Sequence, residues 1–130
     1  MSHFVRIQTV IREDEILRES LRALGYSFDE GESLPVRGDA RSSETAQIVV
    51  RTGTGYDVGF RRSGEAYEIV ADWYRVEQGT PLRRQAFIDE VTRQYSVLVV
   101  RAQAREQNLV IEEETVDEEG RIVITLSERG

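Results

Sequence analysis

The stretch Tyr56-Asp57-Val58-Gly59-Phe60-Arg61-Arg62-Ser63-Gly64-Glu65-Ala66-Tyr67-Glu68-Ile69-Val70-Ala71-Asp72-Trp73 decides the fold class. Tyr56, Val58 and Phe60 alternate with Asp57, Gly59 and Arg61, and after Ser63-Gly64 the residues Tyr67, Ile69, Ala71 and Trp73 alternate in the same way. A period of two with a glycine-containing break predicts a β-hairpin with one apolar and one polar face. A Ser63-Gly64 turn sets Phe60 opposite Tyr67, Val58 opposite Ile69 and Tyr56 opposite Ala71, so the apolar side chains pair on one side of a sheet.

Working outward, residues 3–11 alternate as a strand, and Glu13-Asp14-Glu15 places acid where the first turn of a helix favours it. Ile16, Leu17, Leu21 and Leu24 form the stripe of that helix, and Gly25 stops it. Residues 27–45 hold Gly31, Pro35 and Gly38 without a sustained period and read as an irregular loop, while Ala46–Thr52 reads as a strand. Thr80-Pro81 fits the opening of a second helix whose stripe is Phe87, Val91, Tyr95, Leu98 and Ala102. Leu109–Val116 and Arg121–Leu126 read as strands joined through Asp117-Glu118-Glu119-Gly120, an acidic hairpin over about 109–127. The expected order is β-α-β-β-β-α-β-β. It makes a single α+β domain over 1–130, a two-layer sandwich with a mostly antiparallel sheet and two helices on one face.

Composition narrows the chemistry. The 130 residues contain no cysteine and one histidine, His3, which excludes disulfides, thiolate metal sites and multi-histidine zinc sites. All 17 basic residues are arginine, so neither a lysine Schiff base nor a P-loop lysine is available. Six acids at Glu112, Glu113, Glu114, Asp117, Glu118 and Glu119 account for most of the net charge of −7. That balance is poor for gripping a phosphate backbone, so no nucleic-acid partner is expected. No run of 18 apolar residues suggests a membrane span, and the first residues lack a signal-peptide pattern, which leads to the expectation of a cytoplasmic protein.

Gly53-x-Gly55 followed by Gly59 lacks the spacing and the following helix of a nucleotide loop. The acid run lacks the pattern of a calcium loop and reads as a solvated edge, so neither cofactor nor metal is expected. The polar face of the hairpin is the more informative feature. Asp57, Gly59, Arg61 and Asp72 lie on it, and the 27–45 segment is long enough to bring Arg37 and Gly38 beside them. One reading is a binding patch; the other is a set of salt bridges in which Arg37 anchors its own loop to Asp57 or Asp72.

Met1-Ser2-His3-Phe4, Pro35-Val36-Arg37-Gly38, Asp57-Val58-Gly59-Phe60 and Ala71-Asp72-Trp73, with the Glu112-Glu113-Glu114 to Gly120-Arg121-Ile122 tail, carry a resemblance over the full length. The chain resembles the hypothetical chloroplast reading frame thirty-five family of plastids, cyanobacteria and other bacteria. One departure is Asp39 after the Val-Arg-Gly, where members often have an aromatic residue. The resemblance implies a small protein of no established enzymatic activity. It also implies relatives encoded near AAA-type ATPases and a small companion protein, an association rather than a mechanism. The expectation is a non-enzymatic binding or adaptor module with a protein partner, of which an AAA-type ATPase is one candidate. The alternatives are a small-molecule sensor that grips an anion through Arg37 and Arg61, and a hydrolase using His3 with Asp57 or Asp72, which no nucleophile motif supports.

Overall fold

The computed structural model describes residues 4–38 and 43–128; His3 lies outside them. The chain is α+β with a mostly antiparallel sheet, as expected. The element order is β1 (Phe4–Gln8), α1 (Asp14–Ala23), β2 (Phe28–Val36), β3 (Glu44–Arg51), β4 (Asp57–Ser63), β5 (Ala66–Asp72), α2 (Trp73–Gly79), α3 (Arg84–Glu106), β6 (Leu109–Val116) and β7 (Ile122–Glu128). Strands β1-β5-β4-β3-β2 form one antiparallel sheet, and β6-β7 form a separate two-stranded one.

Four expectations need correction. Residues 28–36 are a strand, not part of an irregular loop. β2 is an edge strand that keeps Phe28, Leu34 and Val36 against the sheet and leaves its charged residues and Pro35 exposed, so it lacks the alternation of an inner strand. The central hairpin turns at Gly64-Glu65, between the paired Ser63 and Ala66, and sets Phe60 opposite Ile69 and Val58 opposite Ala71. Gly64 has φ +67° and Glu65 does not have a positive φ, the pattern of a type II′ turn, which takes glycine at its first central position. The slip is even, so every side chain keeps its predicted face.

The third correction is a helix, α2, beginning at Trp73 where a strand was expected to end. The Asp72 side chain accepts the Arg75 N–H at 3.2 Å and caps it, while Trp73 still enters the core. Fourth, Thr80-Pro81 closes α2 rather than opening the long helix. The Thr80 hydroxyl donates to the Val76 carbonyl at 2.8 Å and accepts the Leu82 N–H, and α3 begins at Arg84. Among the described residues, seven strands and three helices therefore replace the expected six and two.

The main core lies between one face of the sheet and the helices. Phe60, Ile69, Ile48, Val50 and Val58 meet Leu17 and Leu21 of α1, Trp73 and Val76 of α2, and Phe87, Val91 and Tyr95 of α3. Phe87 is its hub, with the rings of Tyr26, Trp73 and Phe60 centred 5.3, 5.8 and 6.2 Å away. Leu24 and Leu98, expected inside, are only half-buried. Helix α1 has no side-chain cap of its own. Instead the Tyr95 hydroxyl of α3 accepts the N–H groups of Arg12 and Glu13, both at 3.0 Å, where the chain enters α1. Tyr67 fastens the same end by donating to Asp14 at 2.6 Å, and burial followed by this bond pushes its pKa up to about 12.

Phe60 is fully buried, so Phe60→Ala is expected to lower stability by roughly 3–5 kcal/mol in a denaturant titration. A loss below about 1 kcal/mol is the behaviour of a surface position and would contradict this packing.

Candidate functional site

The helix-free face of the sheet is crossed by part of its own edge. A bulge between Glu30 and Leu34 breaks the β2–β3 register, and beyond it residues 34–36 of β2, with 44–46 of β3, fold back over β4. The crossing crowds Gly59. A Cβ there would lie 2.6 Å from Val36 Cγ2 and 2.9 Å from Ala46 Cβ, closer than any side chain tolerates. Gly38 continues the crossing to the far edge. A Cβ on it would lie 2.7 Å from the Phe4 ring and 2.9 Å from Asp72 Cβ. Val36, Ala46 and Val49, with Phe4 and Leu34, form a second small apolar cluster under this strap.

Asp57 fastens the strap. Its carboxylate is fully buried and accepts four hydrogen bonds. These come from the Arg37 backbone N–H at 2.9 Å, Arg37 Nε at 2.8 Å, Arg37 Nη2 at 3.0 Å and Arg51 Nη1 at 2.7 Å. The Asp57 N–H donates in return to the Arg37 carbonyl at 2.9 Å. Burial alone would raise the carboxyl's pKa. The hydrogen bonds from the Arg37 side chain and backbone, with the Arg51 charge, outweigh burial and hold the pKa below its usual range. Arg51 also bonds the Pro35 carbonyl at 3.2 Å and Asp29 at 2.8 Å, tying the start and end of β2 to one guanidinium.

Arg61 belongs to a different network. It is held by Glu68 directly opposite on β5, at 2.5 Å, and by Glu44 at 2.8 Å; Arg6 binds the other oxygen of Glu44 at 2.6 Å. Asp72 makes neither contact. One oxygen caps α2, and the other has no hydrogen-bond partner among the described residues. The six residues singled out in the sequence therefore share one face but fall into three groups: Arg37 with Asp57, Gly38 with Asp72 beside Phe4, and Arg61 with two glutamates. Gly59 lies under the strap between them. Arg51, Val36 and Ala46 were not singled out, although the alternation of β3 puts Val49 and Arg51 opposite Gly59 and Asp57. Among the described residues, no group of three or more acidic or histidine side chains could hold a metal ion.

The C-terminal hairpin is the other unusual surface. It stands apart from the main sheet and rests on α3, where Arg101 pairs with Glu114 at 2.8 Å. Ile122 and Ile124 are half-buried, whereas Val123 and Val116 remain 47% and 65% exposed and Leu126 is 38% exposed. Asp117 and Glu119 are paired with Arg121, but Glu112, Glu113 and Glu118 enter no ion pair among the described residues.

The family model described as "Protein of unknown function (DUF1257)" matches residues 20–125, spanning the strap, the Asp57 anchor and most of the C-terminal hairpin. The chain belongs to that family. It is 30% identical over 126 residues to "Uncharacterized protein ycf35" of Guillardia theta, which covers 97% of this chain and 96% of the relative. It is 25% identical over 122 residues to the protein of the same description in Cyanophora paradoxa, covering 94% and 93%. The resemblance read from the short motifs is thus shown at the level of the whole chain. No solved structure matches it. No helix among the described residues is long and apolar enough to cross a membrane.

Because folding lowers the Asp57 pKa, the strap's ionic stabilisation is complete above the ordinary value near 3.8 and is lost as pH falls through the lower folded value. Asp57→Asn is expected to cost about 1.5–3 kcal/mol at neutral pH, the range for hydrogen bonds to a charged group, because the arginines left behind are partly exposed to water. The gap from wild type should narrow on acidification below pH 3.8. Denaturant titrations of both proteins at neutral and acidic pH check this; a gap independent of pH would mean that the ionised carboxylate is not the fastener.

Proposed function

We propose that the protein is a non-enzymatic binding module, an adaptor, whose docking element is the C-terminal β6–β7 hairpin. The observation that supports this most is the exposure of Val123 on one face of a two-stranded sheet outside the main fold and of Val116 and Leu126 on its other face, with Glu112, Glu113 and Glu118 in no ion pair among the described residues. Exposed apolar side chains beside unpaired acids suit a protein partner, and the sign of the charge suits one with a basic surface. The AAA-type ATPase implied by the family resemblance is the first partner class to test. The arginines of the sheet face are poor candidates for the contact. Arg37 and Arg61 already hold carboxylates, so an anionic metabolite would compete with Asp57, Glu44 and Glu68 for them.

The experiment is capture from native lysate, with wild type compared against Val123→Arg and against a triple Glu112→Gln, Glu113→Gln, Glu118→Gln variant. A stoichiometric protein, retained by wild type and weakened about tenfold or more by Val123→Arg, is the expected result, the loss typical of a central contact residue. The triple variant should weaken capture most at low salt. Capture unchanged by the hairpin variants would contradict the reading. Thermal stabilisation by an anionic metabolite, with no protein bound, would favour the sensor.

A further inference from the structure

The two edges of the five-stranded sheet are built differently. β2 carries Pro35, a bulge and the acids Asp29, Glu30 and Glu32, all devices that discourage strand pairing. β1 at the opposite edge is a regular strand with no proline and no bulge. Thr9 donates its backbone N–H to the Tyr67 carbonyl at 3.2 Å in the same register as the β1–β5 ladder. Alternation in an antiparallel ladder then turns the backbone groups of Val5 and Ile7 toward β5 and those of Arg6 and Gln8 away from the sheet. Among the described residues, no backbone or side-chain group of this chain meets the outward N–H and C=O of Arg6 and Gln8. Beyond the strand's end, Val10 is 69% exposed beside a groove of about 390 Å³ lined by Gln8, Thr9, Ile88 and Thr92.

We infer that this edge binds a second copy of the chain by antiparallel β1–β1 pairing about a two-fold axis, joining two five-stranded sheets into one of ten. Outward groups must meet outward groups, and with Arg6 and Gln8 supplying the pairing three registers remain. An axis at Arg6 places the two Arg6 side chains opposite each other, a like-charge pair. An axis at Gln8 pairs Arg6 with Val10, past the end of the strand. An axis at Ile7 sets Arg6 opposite Gln8 of the second copy twice over. Gln8 is neutral and its amide donates to Glu68 at 2.9 Å, so each cation faces a polar residue backed by an acid. In this register the two Ile7 side chains meet at the axis, at a non-hydrogen-bonded position where cross-strand side chains lie closest, and Val5 stands opposite Thr9. The half-buried Val5 and Ile7 thereby gain the cover that an edge denies them. The surface is separate from the C-terminal hairpin, so either assignment can fail alone.

The test is sedimentation equilibrium of the full chain over a wide concentration range, together with two variants. Wild type should approach twice the monomer mass. Gln8→Pro removes an outward donor while leaving the β1–β5 ladder intact, and should weaken dimerisation about tenfold or more with an unchanged circular dichroism spectrum. Ile7→Cys introduces the chain's only thiol and should oxidise to a disulfide-linked dimer, while Glu32→Cys on the opposite edge should not. Should Gln8→Pro fail to fold, the cysteine pair decides alone. A wild type that stays monomeric throughout overturns the inference, as does a dimer in which Ile7→Cys never cross-links.

Discussion

A carboxylate removed from water is strongly destabilising unless charge and hydrogen bonds replace its hydration, and Asp57 obtains both from two arginines far apart in sequence. Arg51 comes from the neighbouring strand, and Arg37 from the end of a strand that has first crossed the sheet. This one group therefore fixes the path of the chain over the helix-free face. The crossing is possible because the next outward position, Gly59, has no side chain, so Val36 and Ala46 settle directly on the backbone of β4. An anchor and a gap two residues apart convert an open sheet face into a covered one.

That arrangement divides the molecule. The helix side holds a continuous core around Phe87, and the helix-free side is closed by the strap and its ion pairs. Surfaces that no described residue covers lie at the periphery, on the acidic hairpin and along the Arg6 and Gln8 backbone edge of β1. The proposed adaptor role rests on the first of these and the proposed self-association on the second. On the sheet face, Arg37 and Arg51 hold Asp57, and Arg61 holds Glu44 and Glu68.

Much of this was legible in the sequence where the signal is local. The alternation through 56–73 identified both strands and assigned each side chain to its face, and the even slip in register left those faces unchanged. The α1 stripe with Gly25 and the α3 stripe through Phe87, Val91 and Tyr95 were equally plain. β2 was not legible, because an edge strand held by three apolar side chains has no need of alternation and carries the glycine and proline of a loop. α2 was missed because one capping carboxylate, Asp72, ends the strand without any change in composition. The polar face was recognised as a cluster, and the pairing of Arg37 with Asp57 was one of the two arrangements considered. Its division into separate networks depends on where β2 bends, which is a non-local event. Arg51 was overlooked because its role appears only once β3 and β4 are set in register.

The most direct measurement of the strap is backbone amide hydrogen exchange in Gly59→Ala. A methyl group at this position must push Val36 and Ala46 away from β4. The Arg37 and Asp57 amides, which bond to the Asp57 carboxylate and the Arg37 carbonyl, should lose protection, while the β4–β5 ladder between Phe60 and Ile69 keeps most of its own. Unchanged protection at Arg37 and Asp57, or a uniform loss across the whole sheet, would contradict a strap fastened at Asp57 over a bare Gly59.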